Sequence, residues 1–170
     1  GGEPLFQPEF ALSLLAACRE NGLHTALDTA GSVPLSICAP VIDRADMLLL
    51  DIKAISDALC VPLTGQSCAN SKKTLEYCQS TGKRVWIRHV LVPGYTLNYD
   101  LLEELAAYLE GFSCIERVEL LPFHKLGEFK WAEMKIPYRL GDVSPPTAEE
   151  LARAERIFET HGFEQSQNGA

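Results

Sequence analysis

At 170 residues the chain is sized for one domain, and its net charge of −8 makes a nucleic-acid backbone or an anionic membrane a poor partner. Hydrophobic residues make up 46% and charged residues 22%, an ordinary globular balance. No apolar run approaches the roughly 18 residues that cross a bilayer.

The first predicted element is a helix over residues 8–21 (PEFALSLLAACREN), with Phe10, Leu14, Leu15 and Cys18 on one face and Gly22 suited to end it. A short strand follows at 23–28 (LHTALD), and Pro34 and Pro40 then divide the next stretch into short helical pieces. Residues 47–53 (MLLLDIK) are apolar on both faces, as in a central parallel strand. The spacing predicts a helix over 70–81 ending at Gly82, and a strand over 84–92 (RVWIRHVLV) stopped by Pro93-Gly94. A helix at 98–110 starts at Asn98, and a strand runs 116–122 (ERVELLP). Residues 123–146 show no period and read as a long surface loop. Thr147 and Glu150 form a capping box for the last helix, which ends at Gly162; residues 163–170 read as a loose tail.

Strands alternating with helices imply an α/β fold with a parallel sheet and right-handed crossovers. Four strands are too few to close a barrel, so the sheet is open or is part of one. Function in such folds collects at the C-terminal ends of the strands. That edge holds Asp28-Thr29, then Asp51 with Lys53, then Arg88, then His124. Residues 49, 51 and 53 share a strand face, as do 86, 88 and 90, so Asp51 and Lys53 can point into one cavity while Leu48, Leu50 and Ile52 pack under helices. Asp28, the Thr29 hydroxyl and Asp51 offer hard oxygen ligands suited to an alkali or alkaline-earth ion, and Lys53 offers a point charge for a carboxylate or phosphate. Blander readings stand beside these: a strand-ending turn at Asp28, an internal Asp51–Lys53 ion pair, a cation–π pair between Arg88 and Trp86, and a structural His124. The cysteines at 18, 38, 60, 68, 78 and 114 fit no zinc, thioredoxin or iron–sulfur spacing and read as reduced thiols of a cytoplasmic protein. Residues and spacing together support an anionic or zwitterionic ligand at the rim.

Read in order, GGEPL, HTALDTAG, LLLDIK, VWIRHVLVPGYT and LLPFHKLGEFKW, with YRL and PP after them, resemble the radical S-adenosylmethionine activating enzymes of glycyl-radical enzymes, the pyruvate formate-lyase activases among them most. The resemblance spans residues 1–162 and implies four strands of a partial (β/α)6 barrel, an open sheet with helices on its outer face. It implies that Gly2 and Glu3 meet the amino group of S-adenosylmethionine, that Lys53 holds its carboxylate, and that Val90 and His124 approach the adenosyl part. It places a monovalent cation at Asp28, Thr29, Asp51 and the backbone of Leu49, and Arg88 near the substrate glycine loop. The implied partners are pyruvate formate-lyase, in which a 5′-deoxyadenosyl radical generates a glycyl radical, and a flavodoxin-like reductant.

The family's CxxxCxxC motif, which holds a [4Fe–4S] cluster, does not occur in these residues, so the expectation is a C-terminal portion, inactive alone, of a protein whose full length carries the cluster. Two other readings remain: an activase of another glycyl-radical enzyme, and a non-radical α/β module binding an anionic metabolite through Lys53 and Arg88.

Overall fold

A computed structural model describes residues 2–164. Its sheet has four parallel strands in chain order, β1 (Ala26–Thr29), β2 (Met47–Asp51), β3 (Arg84–Leu91) and β4 (Ile115–Pro122). Strand alternation sorts the sheet into two unlike faces. Leu27, Leu48, Leu50, Val85, Ile87, Leu91, Val118 and Leu120 are buried in one apolar core. Asp28, Leu49, Asp51, Trp86, Arg88, Val90, Arg117 and Glu119 lie on the other face, which no helix covers completely.

Helices α1 (Pro8–Glu20), α2 (Leu35–Arg44), α4 (Ala69–Thr81), α5 (Tyr99–Leu109) and α7 (Ala148–Thr160) supply the layer over the apolar face, through residues such as Leu15, Val41, Leu75, Leu105 and Phe158. Burying a large aliphatic or aromatic side chain stabilises by about 1.5–3 kcal/mol, so this layer dominates the fold's energetics. The ends are chemically marked. Pro8 stands in the first turn of α1, Asn98 accepts the Asp100 and Leu101 amides at the start of α5, and Thr147 with Glu150 forms the capping box of α7. Gly82 ends α4 in the left-handed region.

Three elements depart from the sequence reading. Residues 35–44 form one helix rather than pieces, because Pro40 removes a single backbone donor while Cys38, Val41 and Ile42 gain full burial. Helix α3 (Asp57–Thr64) was not anticipated; Pro62 interrupts its pattern, and Asp57 accepts the Cys68 amide at 2.8 Å to close the turn behind it. Within 123–146 lies a six-residue helix, α6 (Glu128–Glu133), that buries no residue and so has no apolar period to read. Phe163 packs its ring 6.3 Å from that of Phe158; residues 165–170 of the expected tail, and Gly1, lie outside the described residues. Among the described residues, no helix is long and apolar enough to cross a membrane.

Candidate functional site

A cavity of about 990 Å³ runs along β1 and reaches Asp51 at the end of β2 and Arg88 within β3, bounded by α1 and the turn before it. It has two unlike ends. Phe6, Phe10 and Leu14 form an apolar wall, and Glu3, Asp28, Asp51, Lys53 and Arg88 form a charged mouth. The wall corrects the expectation for α1. Ala11 and Leu15 face the core, whereas Phe10 and Leu14 are 65% and 52% exposed on the adjoining flank. Both pairs have helical spacing, and the periodicity does not say which one the sheet takes.

Register explains the mouth. Asp51 lies opposite Arg88, which lies opposite Glu119, in one row across β2, β3 and β4. Arg88 Nε donates to Asp51 Oδ1 at 2.9 Å, its terminal nitrogen donates to Asp28, and Lys53 Nζ donates to Asp51 Oδ2 at 2.6 Å. The internal ion pair and the cavity are therefore one arrangement. Lys53 remains 37% exposed in its side chain and has further N–H donors free for a ligand. The ring of Trp86 is covered by Arg117, 4.9 Å from its centroid, and Arg117 also pairs with Glu119 at 3.0 Å. The cation–π partner is thus on β4, not Arg88.

Glu3 is tied down on both oxygens. Its Oε1 accepts from the Leu5 amide at 3.1 Å and the Thr29 hydroxyl at 2.8 Å; its Oε2 accepts from the Ala30 amide at 2.9 Å. Thr29 Oγ1 accepts in turn from the Gly31 amide at 2.9 Å. Sequence reasoning found both residues but not their bond, which joins positions 26 apart and leaves no periodic trace.

Seven expected site residues thus line one cavity: Gly2, Glu3, Asp28, Thr29, Asp51, Lys53 and Arg88. Leu49 and Val90 lie on the same sheet face without lining it, and exposed His124, whose Nδ1 accepts the Leu126 amide at 3.3 Å, stands beyond β4. Asp28, Thr29 and Asp51 of the expected cation site all line the cavity. Arg88 already bridges Asp28 and Asp51, and the Thr29 hydroxyl is committed to Glu3. Below the mouth, His89 is buried with Nδ1 2.7 Å from the Ile52 carbonyl; burial lowers its pKa, so the neutral ring donates that bond and fixes the peptide leading into Lys53.

The fit of S-adenosylmethionine follows from these groups. Its amino-acid end carries an ammonium and a carboxylate, and the mouth presents a fixed carboxylate and an accessible ammonium. The cavity lies within the usual range for such ligands. An iron–sulfur cluster has no ligand set here. No cysteine lines the cavity, and no group of three His, Cys, Asp or Glu could hold a metal among the described residues. Burial pushes the Cys78 thiol up to about 12, and burial with Asp57 pushes Cys68 to about 11, as expected of unreactive thiols.

The profile of the Radical SAM superfamily matches residues 1–106. The chain is 37% identical over 171 residues to a pyruvate formate-lyase-activating enzyme of Streptococcus mutans, covering 97% of this chain and 65% of that protein. It is 36% identical over 166 residues to a pyruvate formate-lyase 1-activating enzyme of Escherichia coli K12, covering 95% and 67%. The chain therefore spans about two thirds of the length of these curated relatives. A crystal structure of a domain of a pyruvate-formate lyase-activating enzyme from Bacteroides vulgatus superposes with a TM-score of 0.81 at 22% identity, over 99% of this chain and 96% of that one. A radical SAM methyltransferase from Sphaerobacter thermophilus gives 0.69 at 22% identity, over 97% and 48%. Both share the partial-barrel fold.

Proposed function

The chain belongs to the radical SAM superfamily, and we propose that it is the cofactor-binding portion of a pyruvate formate-lyase activating enzyme. The observation that carries this reading is the pairing at one mouth of a fixed carboxylate, Glu3, with an accessible ammonium, Lys53. Glu3 receives the α-ammonium of S-adenosylmethionine, and Lys53 receives its carboxylate without leaving Asp51. Asp51 and Asp28 hold Arg88 at the same rim, where it meets the glycine-bearing segment of the partner enzyme. Phe6, Phe10 and Leu14 offer an apolar wall to the rest of the ligand. Val90 and His124 approach the adenosyl part, and a monovalent cation at Asp28 and Asp51 would compete with Arg88.

When bound beside a [4Fe–4S] cluster held elsewhere in the full-length protein, S-adenosylmethionine supplies the 5′-deoxyadenosyl radical that removes a hydrogen atom from glycine. A flavodoxin-like protein supplies the electron in the cytoplasm. These 170 residues bind but do not turn over.

The alternative module, binding an anionic metabolite through Lys53 and Arg88, is disfavoured because three carboxylates, Glu3, Asp28 and Asp51, share the mouth with them. A calorimetric titration separates the two readings. S-adenosylmethionine should bind more tightly than 5′-methylthioadenosine, which lacks the amino-acid end, and inorganic phosphate should not compete. Equal affinities for both adenosyl compounds, or displacement by phosphate, would sink the proposal.

A further inference from the structure

Thr29 sits at the end of β1, only 2% exposed, with its hydroxyl engaged in both directions. It accepts the Gly31 amide and donates to Glu3 Oε1. Gly31 holds φ +61, and a Cβ there would lie 2.8 Å from Leu50 Cδ1 and 3.2 Å from Ser71 Cα. The turn is therefore pressed against the core, and the amides of residues 30 and 31 cannot wander. A hydroxyl has one proton to give. With the Gly31 N–H directed at its oxygen, that proton goes to Glu3. A carboxylate has about four acceptor positions, and Leu5, Thr29 and Ala30 fill three of them.

We propose that Thr29 is a positioning residue. Its hydroxyl, oriented by the Gly31 amide, locks the Glu3 carboxylate so that one acceptor position is left for an ammonium group. This rests on the reading that Glu3 receives the α-ammonium of S-adenosylmethionine. It assigns the threonine hydroxyl to the amine subsite, across the strand from Asp28, rather than to a cation. Pre-organisation is the gain: a carboxylate on three flexible torsions would otherwise have to be ordered when the ligand binds.

The test is a double-mutant cycle on the 170-residue chain, titrated calorimetrically with S-adenosylmethionine and with 5′-methylthioadenosine. Thr29→Val keeps the side-chain volume and removes the hydroxyl. It should weaken S-adenosylmethionine about tenfold and leave 5′-methylthioadenosine unchanged. Thr29→Ser should restore affinity to within about threefold of the parent. In a Glu3→Gln background, Thr29→Val should cost nothing further, because it acts through Glu3. If Thr29→Val does not fold, Thr29→Ala against Thr29→Ser carries the same comparison.

An effect of Glu3→Gln without one of Thr29→Val overturns the positioning role and leaves the ammonium reading standing. No effect of Glu3→Gln overturns that reading itself. Equal loss of both ligands in Thr29→Val shows a structural residue only, as does an undiminished loss in the Glu3→Gln background.

Discussion

Replacing Lys53 by Met separates ligand binding from folding. Lys53 spends one bond on Asp51, at 2.6 Å, and its side chain is 37% exposed, so it can reach a bound carboxylate while keeping that bond. A charge-assisted hydrogen bond contributes about 1.5–3 kcal/mol, and solvent screening at this exposure trims it to about 1–2 kcal/mol. That is roughly 5- to 30-fold in affinity for S-adenosylmethionine. The fold should tolerate the change, because Asp51 retains Arg88 Nε at 2.9 Å and Met covers the same methylene path. A stability change within about 1 kcal/mol moves the melting temperature by no more than about 4 °C in a chain of this size. Calorimetric titrations at low and high salt give the affinity ratio, which should shrink with salt. Undiminished binding of S-adenosylmethionine by Lys53→Met, or an equal loss for 5′-methylthioadenosine, would refute the assignment of Lys53 to the carboxylate.

Gly31→Ala combines a left-handed backbone with a 2.8 Å approach to Leu50, so thermal melting should show a loss of roughly 2–4 kcal/mol, or about 4–16 °C. His161 donates from Nε2 to Glu103 and from Nδ1 to Glu110, tying α7 to α5, and the Glu103 bond is the main reason its pKa is raised above 6.5. A raised folded pKa gives stability that is fully present below pH 6.5 and is lost as pH rises through the folded value. His161→Gln should therefore lower the melting temperature more at pH 6 than at pH 8; an equal loss at both would contradict the charged pair. Strand β1 is an open edge flanked by exposed Phe10 and Leu14, so sedimentation velocity should show self-association that rises with concentration and falls in Phe10→Ser/Leu14→Ser.

Much of this arrangement was legible in the sequence because strand parity is a hard rule. Leu48 and Leu50 against Asp51, and Ile87 against Arg88, predict a core face and a cavity face, and both are found. Caps written in the side chains at Asn98 and Thr147 were equally readable. What escaped was information that arises only between elements. The partner of Trp86 depends on which residue of β4 falls beside it, and the register puts Arg117 there. The Glu3–Thr29 bond needs the turn before α1 to fold over the end of β1. The apolar flanks of α1 are equivalent in sequence and become unlike only when one meets the sheet. His124 reads as a rim residue because it follows a strand; it stands two residues past the end of β4, exposed, and does not line the cavity.

Every wall of the cavity comes from residues 2–88, while β4, α5, α6 and α7 contribute none. For a polypeptide leaving the ribosome, the residues that line the cavity are therefore all made before α5, β4, α6 and α7. The nascent chain could be tested stalled at successive lengths: ligand protection should set in once β3 has cleared the exit tunnel, well ahead of the mechanical strength that awaits the docking of Phe158.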